Sequence, residues 1–186
     1  RERILNEMRR AGVEVQGEDY NHNTRNHWKI VSDSSIQGGN GNEIVSPVLT
    51  GLDGIEQVKK VCIALNRAGA KVNKSCGFHL HLGVQDYQIN DFKNLVNSFA
   101  HLEKEFDKIQ TESRRGNNNS YCKNLTSIGR NLTEKINATN SINELVNVFG
   151  GRYFKLNLQS FNRYGTVEFR HHSGTTTFSK IKNWVL

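Results

Sequence analysis

Gly77-Phe78-His79-Leu80-His81-Leu82-Gly83 decides how this chain is read. Side chains on a strand alternate between faces, so His79 and His81 point one way while Phe78, Leu80 and Leu82 point the other. The spacing predicts a strand with an apolar back and two imidazoles in front. A second stretch, Gly165-Thr-Val-Glu-Phe-Arg-His-His172, has the same build. It sets Thr166, Glu168, Arg170 and His172 on one face and Val167 and Phe169 on the other. A third stretch, Tyr153 to Ser160, puts Phe154, Leu156 and Leu158 behind and Lys155, Asn157 and Gln159 in front. One strand of this kind is an ordinary half-solvated antiparallel strand. Three in a short chain point to a shared polar floor.

Working outward, the remaining pattern alternates helices, strands and polar loops. Residues 2–11 read as a helix with Ile4, Leu5 and Met8 on its apolar stripe and Gly12 as its stop. Residues 17–27 are polar and read as a loop. Trp28 to Asp33 and Glu43 to Val48 read as strands around a Gly38-Gly-Asn-Gly41 turn. Residues 54–69 predict an amphipathic helix with Ile55, Val58, Val61, Cys62 and Leu65 inward. Residues 90–110 predict a longer one that buries Phe92, Leu95, Val96, Phe99, Leu102, Phe106 and Ile109. A polar loop over 112–120 precedes a weaker helical pattern over 121–137. Ser141-x-x-Glu144 is a capping box opening a short helix that Gly150-Gly151 ends. A final short helix holds Ile181, Trp184 and Val185. No repeat or linker interrupts the pattern. The expectation is therefore one α+β domain over residues 1–186, an antiparallel sheet with helices on its apolar back.

Composition narrows the function classes. The 186 residues suffice for a real core. No run of 18 apolar residues occurs, so no transmembrane helix and no membrane partner are expected. Cys62, Cys76 and Cys122 form neither a zinc pattern nor a disulfide framework, which favours a reducing, cytoplasmic setting. Five Asn-x-Ser/Thr sequons among 23 asparagines are what chance supplies, so they do not argue for secretion. Net charge is +7 with a pI near 9.4. That suits nucleic acid, but the basic residues are spread out and not interleaved with aromatics, so an anionic small molecule is the expected partner.

Glu43, His79 and Glu168 are metal-ligand types on three separate strands. Carboxylates with few imidazoles and no nearby cysteine suit Mg²⁺ or Mn²⁺ better than structural zinc. Arg170, two residues after Glu168, projects beside it. A guanidinium next to a divalent cation is the usual arrangement for a phosphoryl group. Arg114, Arg115, Arg152 and Lys155 are further candidate cations for that group. The plainer reading of Glu168 and Arg170 is a surface salt bridge. The plainer reading of Asp33, followed by two serines, is an Asx turn.

The ordered set Trp28…Asp33-Ser-Ser, Glu43-Ile-Val-Ser-Pro47, Cys76-Gly-Phe-His-Leu-His81, Arg152-Tyr…Asn157-Leu and Gly165-Thr-Val-Glu-Phe-Arg…Gly174-Thr175 resembles the amidoligase family. That family is one of the carboxylate–amine ligases similar to glutamine synthetase and glutamate–cysteine ligase. The resemblance implies a glutamine synthetase-like catalytic domain with a polar concave sheet face. It also implies an ATP-dependent reaction in which a phosphoryl group passes to a carboxylate and an amine then displaces it. Carried over residue by residue, Glu43 matches the acid that holds one metal. His79 and Glu168 match the pair that holds the other, and Arg170 matches the phosphate-binding arginine. His81 falls close to nucleotide or substrate, and Asp33 near the amine or metal. Arg152, Lys155 and Arg115 are assigned to the nucleotide. A peptide, a peptidoglycan stem and a free amino acid all remain acceptable acids, and the oligomeric state is left open.

One departure accompanies the resemblance. Such chains open on a strand carrying Glu-x-Glu, followed by a helix, whereas this one begins at that helix. An N-terminal strand is therefore expected to be missing, which would leave the fragment inactive or poorly metallated. Val13-Glu14-Val15 follows the helix and is no replacement. Two alternatives stand beside the ligase: a guanidino-kinase-like phosphotransferase of the same superfold, and a non-catalytic binding module of a phage or mobile-element protein.

Overall fold

Two three-stranded sheets carry this α+β fold, one in each of two units. The computed structural model describes residues 1–39 and 41–186. In chain order the elements are α1 (Glu2–Arg10), β1 (Val15–Gly17), β2 (Trp28–Ser32), β3 (Asn42–Val45), α2 (Gly51–Arg67), β4 (Gly77–Gly83), α3 (Ile89–Lys108), α4 (Leu132–Asn137), α5 (Ile142–Phe149), β5 (Leu156–Asn157), α6 (Ser160–Tyr164), β6 (Thr166–Ser173) and α7 (Phe178–Val185). Two 3-10 turns, Glu112–Arg114 and Leu125–Ile128, lie between α3 and α4. Asn40, part of the expected 38–41 turn, lies outside the described residues.

The first unit spans residues 1–76 and 174–186. Its sheet runs β1-β2-β3, with β1 parallel and β3 antiparallel to β2. The parallel pairing departs from the expected all-antiparallel sheet. Three residues in a polar context carry too little periodicity to announce β1, and its pairing with Trp28 supplies the signal instead. Leu5 and Met8 of α1, Trp28 and Ile30 of β2, and Val61 and Leu65 of α2 form its core. The apolar periods of α1 and α2 bring those residues to one side.

The second unit spans residues 77–173. Its sheet is antiparallel throughout, in the order β4-β6-β5, so β6 is central. Phe92, Val96 and Phe99 of α3 pack with Leu145 of α5, Leu156 of β5 and Val167 of β6. The expected stripe of α3 is corrected at its far end, where Leu102 and Ile109 are exposed and Glu103 is fully buried instead. The Glu103 carboxylate accepts the backbone N–H of Leu125 at 2.8 Å and of Thr126 at 3.2 Å. It therefore satisfies the open amides of the second 3-10 turn.

Two further expectations are corrected in this unit. The helix expected over 121–137 divides at Gly129, whose φ of 143° stops the 3-10 turn before α4 begins. The strand expected over 153–160 shrinks to Leu156–Asn157. The Asn157 Oδ1 accepts the Gln159 N–H at 2.9 Å, and Ser160 Oγ donates to the Asn157 carbonyl at 3.1 Å. This side-chain turn ends the strand and starts α6. The α5 helix forms as expected. Ser141 Oγ accepts the Glu144 N–H at 3.2 Å, and Gly150 closes the helix at a φ of 62°, which glycine adopts without strain.

Candidate active site

Glu168 lies at the middle of the second sheet. Its register partners are His81 on β4 and Asn157 on β5, so strand alternation turns all three side chains to one face. Asn157 Nδ2 donates to Glu168 Oε2 at 2.6 Å, and Arg170 Nη1 donates to Oε1 at 2.7 Å. His79 Nδ1 lies 3.2 Å and His81 Nε2 3.7 Å from the same Oε1. His81 Nδ1 meets Thr166 Oγ1 at 3.0 Å, and Arg170 Nε donates to the Tyr121 carbonyl at 3.3 Å. Glu168 is buried at 5 % exposure, so its pairing with Arg170 is not the surface salt bridge of the plainer reading.

A bulge in β6 limits that row to Arg170. Phe78 pairs with His172 but Leu80 pairs with Phe169, so His79 faces two residues of β6, Arg170 and His171. The alternation expected for β6 is therefore corrected beyond Arg170. His172 does not continue the Glu168 row but stands across from Phe78, with the two rings edge-on at 5.9 Å. His171 is fully buried, with Nε2 2.7 Å from Asp107 Oδ1 on α3.

Burial and charge set the protonation of the cluster. Burial alone would raise the Glu168 carboxyl, but the Arg170 charge, His79 and the Asn157 hydrogen bond outweigh it and hold the group below its usual range. Burial, helped by the Arg170 charge, pushes His79 down to about 4. Burial also lowers His81. The site at neutral pH thus holds a carboxylate, two neutral imidazoles and a guanidinium.

The other sequence candidates fall elsewhere. Lys155 does not join the polar face and is corrected on that point. Its side chain is fully buried, Nζ lies 2.5 Å from Asp107 Oδ1, and Asn124 Oδ1 is a further partner. A buried ammonium takes the one carboxylate within reach, and here that carboxylate is on α3. Arg115 is exposed, its Nε donating to the Gln110 carbonyl at 2.9 Å. Its neighbour Arg114 is the buried one. Arg152 is exposed, with its guanidinium 5.2 Å from the Tyr153 ring centre. Asp33 belongs to the first unit, where Oδ1 accepts the Ser35 N–H at 2.8 Å and the Ser35 hydroxyl at 2.7 Å. It forms the Asx turn of the plainer reading. Glu43 is an exposed residue of β3 in the first unit, across from Val31.

The expected metal meets two of its three ligands, His79 and Glu168, on one sheet face. Among the described residues no group of three or more His, Cys, Asp or Glu is arranged to hold a metal ion. The Glu168 oxygens are moreover engaged by Arg170 and Asn157. Mg²⁺ requires near-octahedral oxygen ligation, and one engaged carboxylate with two imidazoles does not provide it. Two open concavities, of about 430 and 490 Å³, lie in the first unit around residues such as Trp28 and Glu18 and do not include this cluster.

The arrangement defines a class first: an α+β protein that gathers acid–base and cationic groups on one sheet face. Comparison with known families narrows it. The family described as "Putative amidoligase enzyme" matches residues 1–186, and the chain belongs to that amidoligase family, whose function is of the ligase type. No curated protein and no solved structure matches the chain. Among the described residues no helix is long and apolar enough to cross a membrane.

Proposed function

We propose that the chain joins a small-molecule or peptide carboxylate to an amine at the expense of ATP, through an acyl phosphate. Beyond family membership, one observation carries this reading: the buried Glu168–Arg170 pair faces both histidines of β4. In the first step a carboxylate oxygen attacks the γ-phosphorus, the bond to ADP breaks, and ADP leaves. In the second the amine nitrogen attacks the acyl carbon, phosphate leaves, and the ammonium proton passes to a base.

Arg170 suits the phosphoryl oxygens. Glu168 holds its Nη1 and the Tyr121 carbonyl its Nε, so the plane of the guanidinium is fixed and its remaining N–H groups are positioned. His81 suits the proton step. In the tautomer whose Nδ1 donates to Thr166 Oγ1, Nε2 is the basic nitrogen, and burial keeps the ring neutral. Mg²⁺ or Mn²⁺, which ATP chemistry ordinarily uses, is not provided for by the engaged Glu168 carboxylate and its two imidazoles, and no step above is routed through it. A nucleotide supply, and the free thiols of Cys62, Cys76 and Cys122, fit a cytoplasmic setting.

Hydroxylamine intercepts an activated carboxylate. The full chain, given ATP, Mg²⁺ and a panel of acids, should yield a hydroxamate from at least one of them. Arg170→Lys should lower that kcat by ~10²-fold, because lysine keeps the charge but loses the planar fork. Phosphorylation of a guanidino compound with no hydroxamate from any acid would replace the ligase with the phosphotransferase.

A further inference from the structure

Arg114 ends the first 3-10 turn, where its N–H donates to the Thr111 carbonyl at 2.9 Å. Its side chain is only 3 % exposed. Its Nε has no hydrogen-bond partner, and among the described residues it enters no ion pair with a carboxylate. Among the described residues the buried lysines and the half-buried Arg170 are satisfied. Lys29 has three oxygen acceptors, Lys155 has Asp107 and Asn124, and Arg170 has Glu168 and the Tyr121 carbonyl. An uncompensated buried charge is costly, and ionisable groups in such environments cluster at functional sites.

Gly77 shows where this guanidinium points. A Cβ added there would meet Arg114 Nη2 at 2.9 Å, His79 Nε2 at 2.9 Å and Arg114 Nη1 at 3.2 Å. Three nitrogens therefore converge over a residue with no side chain, and a methyl group would push them apart. The neighbouring charges do not neutralise Arg114. Glu168 already offsets Arg170 at 2.7 Å, and Cys122, whose thiol donates to the Arg170 carbonyl at 3.2 Å and whose sulfur is a side-chain partner of Arg114, is neutral and offsets no charge. The cluster is left with one net positive charge, and Arg114 is its source.

We propose that Arg114, rather than Arg170, supplies the net charge that binds a phosphoryl group, at the nitrogens that Arg114 and His79 bring together beside Gly77. This rests on the ligase reading for the phosphoryl's origin, and on the buried guanidinium for its place. Arg170, neutralised by Glu168, then orients the phosphoryl while Arg114 attracts it. Oxyanions of two origins share this chemistry, a nucleotide phosphoryl and a substrate carboxylate. The greater charge of the former fits the uncompensated site better.

The test uses the full chain at constant ionic strength, with calorimetric titration and thermal melting against sodium pyrophosphate and, separately, sodium acetate. Pyrophosphate should bind the wild type and raise its Tm, and acetate at equal concentration should not. Arg114→Met should weaken pyrophosphate at least ~10-fold, the scale of one charged hydrogen-bonding partner. It should also leave the ligand-free Tm equal or higher, since a thioether replaces an unpaired charge. A purely structural arginine would lower that Tm instead. Gly77→Ala keeps every charge and should also weaken pyrophosphate. It stands as the second probe if Arg114→Met does not fold. Undiminished pyrophosphate binding in both variants overturns the site, as does a wild type that binds neither anion. Acetate binding as tight as pyrophosphate, and lost in Arg114→Met, overturns the phosphoryl assignment. Pyrophosphate bound through Arg114 without any hydroxamate keeps the site and removes the ligase. Hydroxamate formation untouched by Arg114→Met removes the site and keeps the ligase.

Discussion

Each unit of this molecule buries a lysine, and the two lysines are satisfied by different physics. In the first unit Lys29 Nζ donates to the Asn21 carbonyl at 3.2 Å, to Asn21 Oδ1 at 2.7 Å and to the Asn23 carbonyl at 2.8 Å. All three acceptors are neutral and come from the loop just before its strand. In the second unit Lys155 meets the Asp107 carboxylate, which also takes the Gly116 N–H at 2.8 Å and His171 Nε2 at 2.7 Å. Those partners come from distant stretches of chain. The first solution is local and needs no buried counter-ion. The second binds helix to sheet, but it stakes stability on the ionisation of buried groups. The same unit holds Glu168, Arg170 and Arg114, so buried charge is concentrated where the candidate site is.

The comparison breaks most visibly by removing one acceptor from each lysine. Asp107→Ala strands the Lys155 ammonium without a counter-charge and should cost about 3–5 kcal/mol in urea-denaturation midpoints. Asn21→Ala leaves Lys29 two carbonyl acceptors and should cost only about 1 kcal/mol. Equal losses would show that the two lysines are not differently held.

Acid should separate the units next. Burial, reinforced by the Lys155 charge, pushes His171 down to about 4, against an ordinary value of 6.5. Between those values the unfolded chain binds a proton that the folded one refuses. Stability contributed by the neutral ring is therefore present above about pH 6.5 and lost as the pH falls to about 4, a loss of about 3 kcal/mol at 1.36 kcal/mol per unit. His79 titrates in the same window and direction. In the first unit the Arg25 hydrogen bond, with Asn21 and His27, holds Glu18 down to about 2 from 4.5. Its contribution is present above about pH 4.5 and lost only as the pH falls toward 2. Both tryptophans, Trp28 and Trp184, belong to the first unit. Amide exchange over residues 77–173 should therefore accelerate at higher pH than the tryptophan fluorescence changes. Coincident transitions would mean that the two units titrate as one.

The smallest expected effect sharpens the comparison on the backbone. Ser141→Ala removes the cap of α5 and should cost about 1 kcal/mol, read as a shift in the urea midpoint with an unchanged slope. A loss this small beside that of Asp107→Ala would show that the second unit is held by its ion network more than by its helix ends.

Period-2 alternation made the facing of Glu168, His81 and Asn157 legible before any coordinates. Leu156 and Val167 are buried behind β5 and β6 and fix their orientation, whereas Leu82 behind β4 is exposed and that strand is held by its pairing with β6. The Ser141 cap of α5 was legible because it is closed within four residues, although Glu144 reaches back to the Asn140 N–H rather than to that of Ser141. Lys155 was misread for the converse reason. Its partner Asp107 lies 48 positions away, and no local pattern announces a carboxylate under a strand. Arg114 and Arg115 are adjacent and chemically identical in sequence. Only the fold distinguishes the buried guanidinium beside His79 from the exposed one tied to Gln110.

What the amino-acid sequence determined by itself was therefore every property set within a turn or a strand length: which side chains share a face, where helices are capped, and the family to which the motifs belong. Tertiary structure alone decided that the strands form two sheets rather than one, that a bulge opposite His79 turns His172 toward Phe78, and which cation is left uncompensated. Strand pairing, bulge position and charge compensation are long-range properties. They depend on which distant groups arrive within a few ångströms, and the energy that selects among them exists only once the chain has closed on itself.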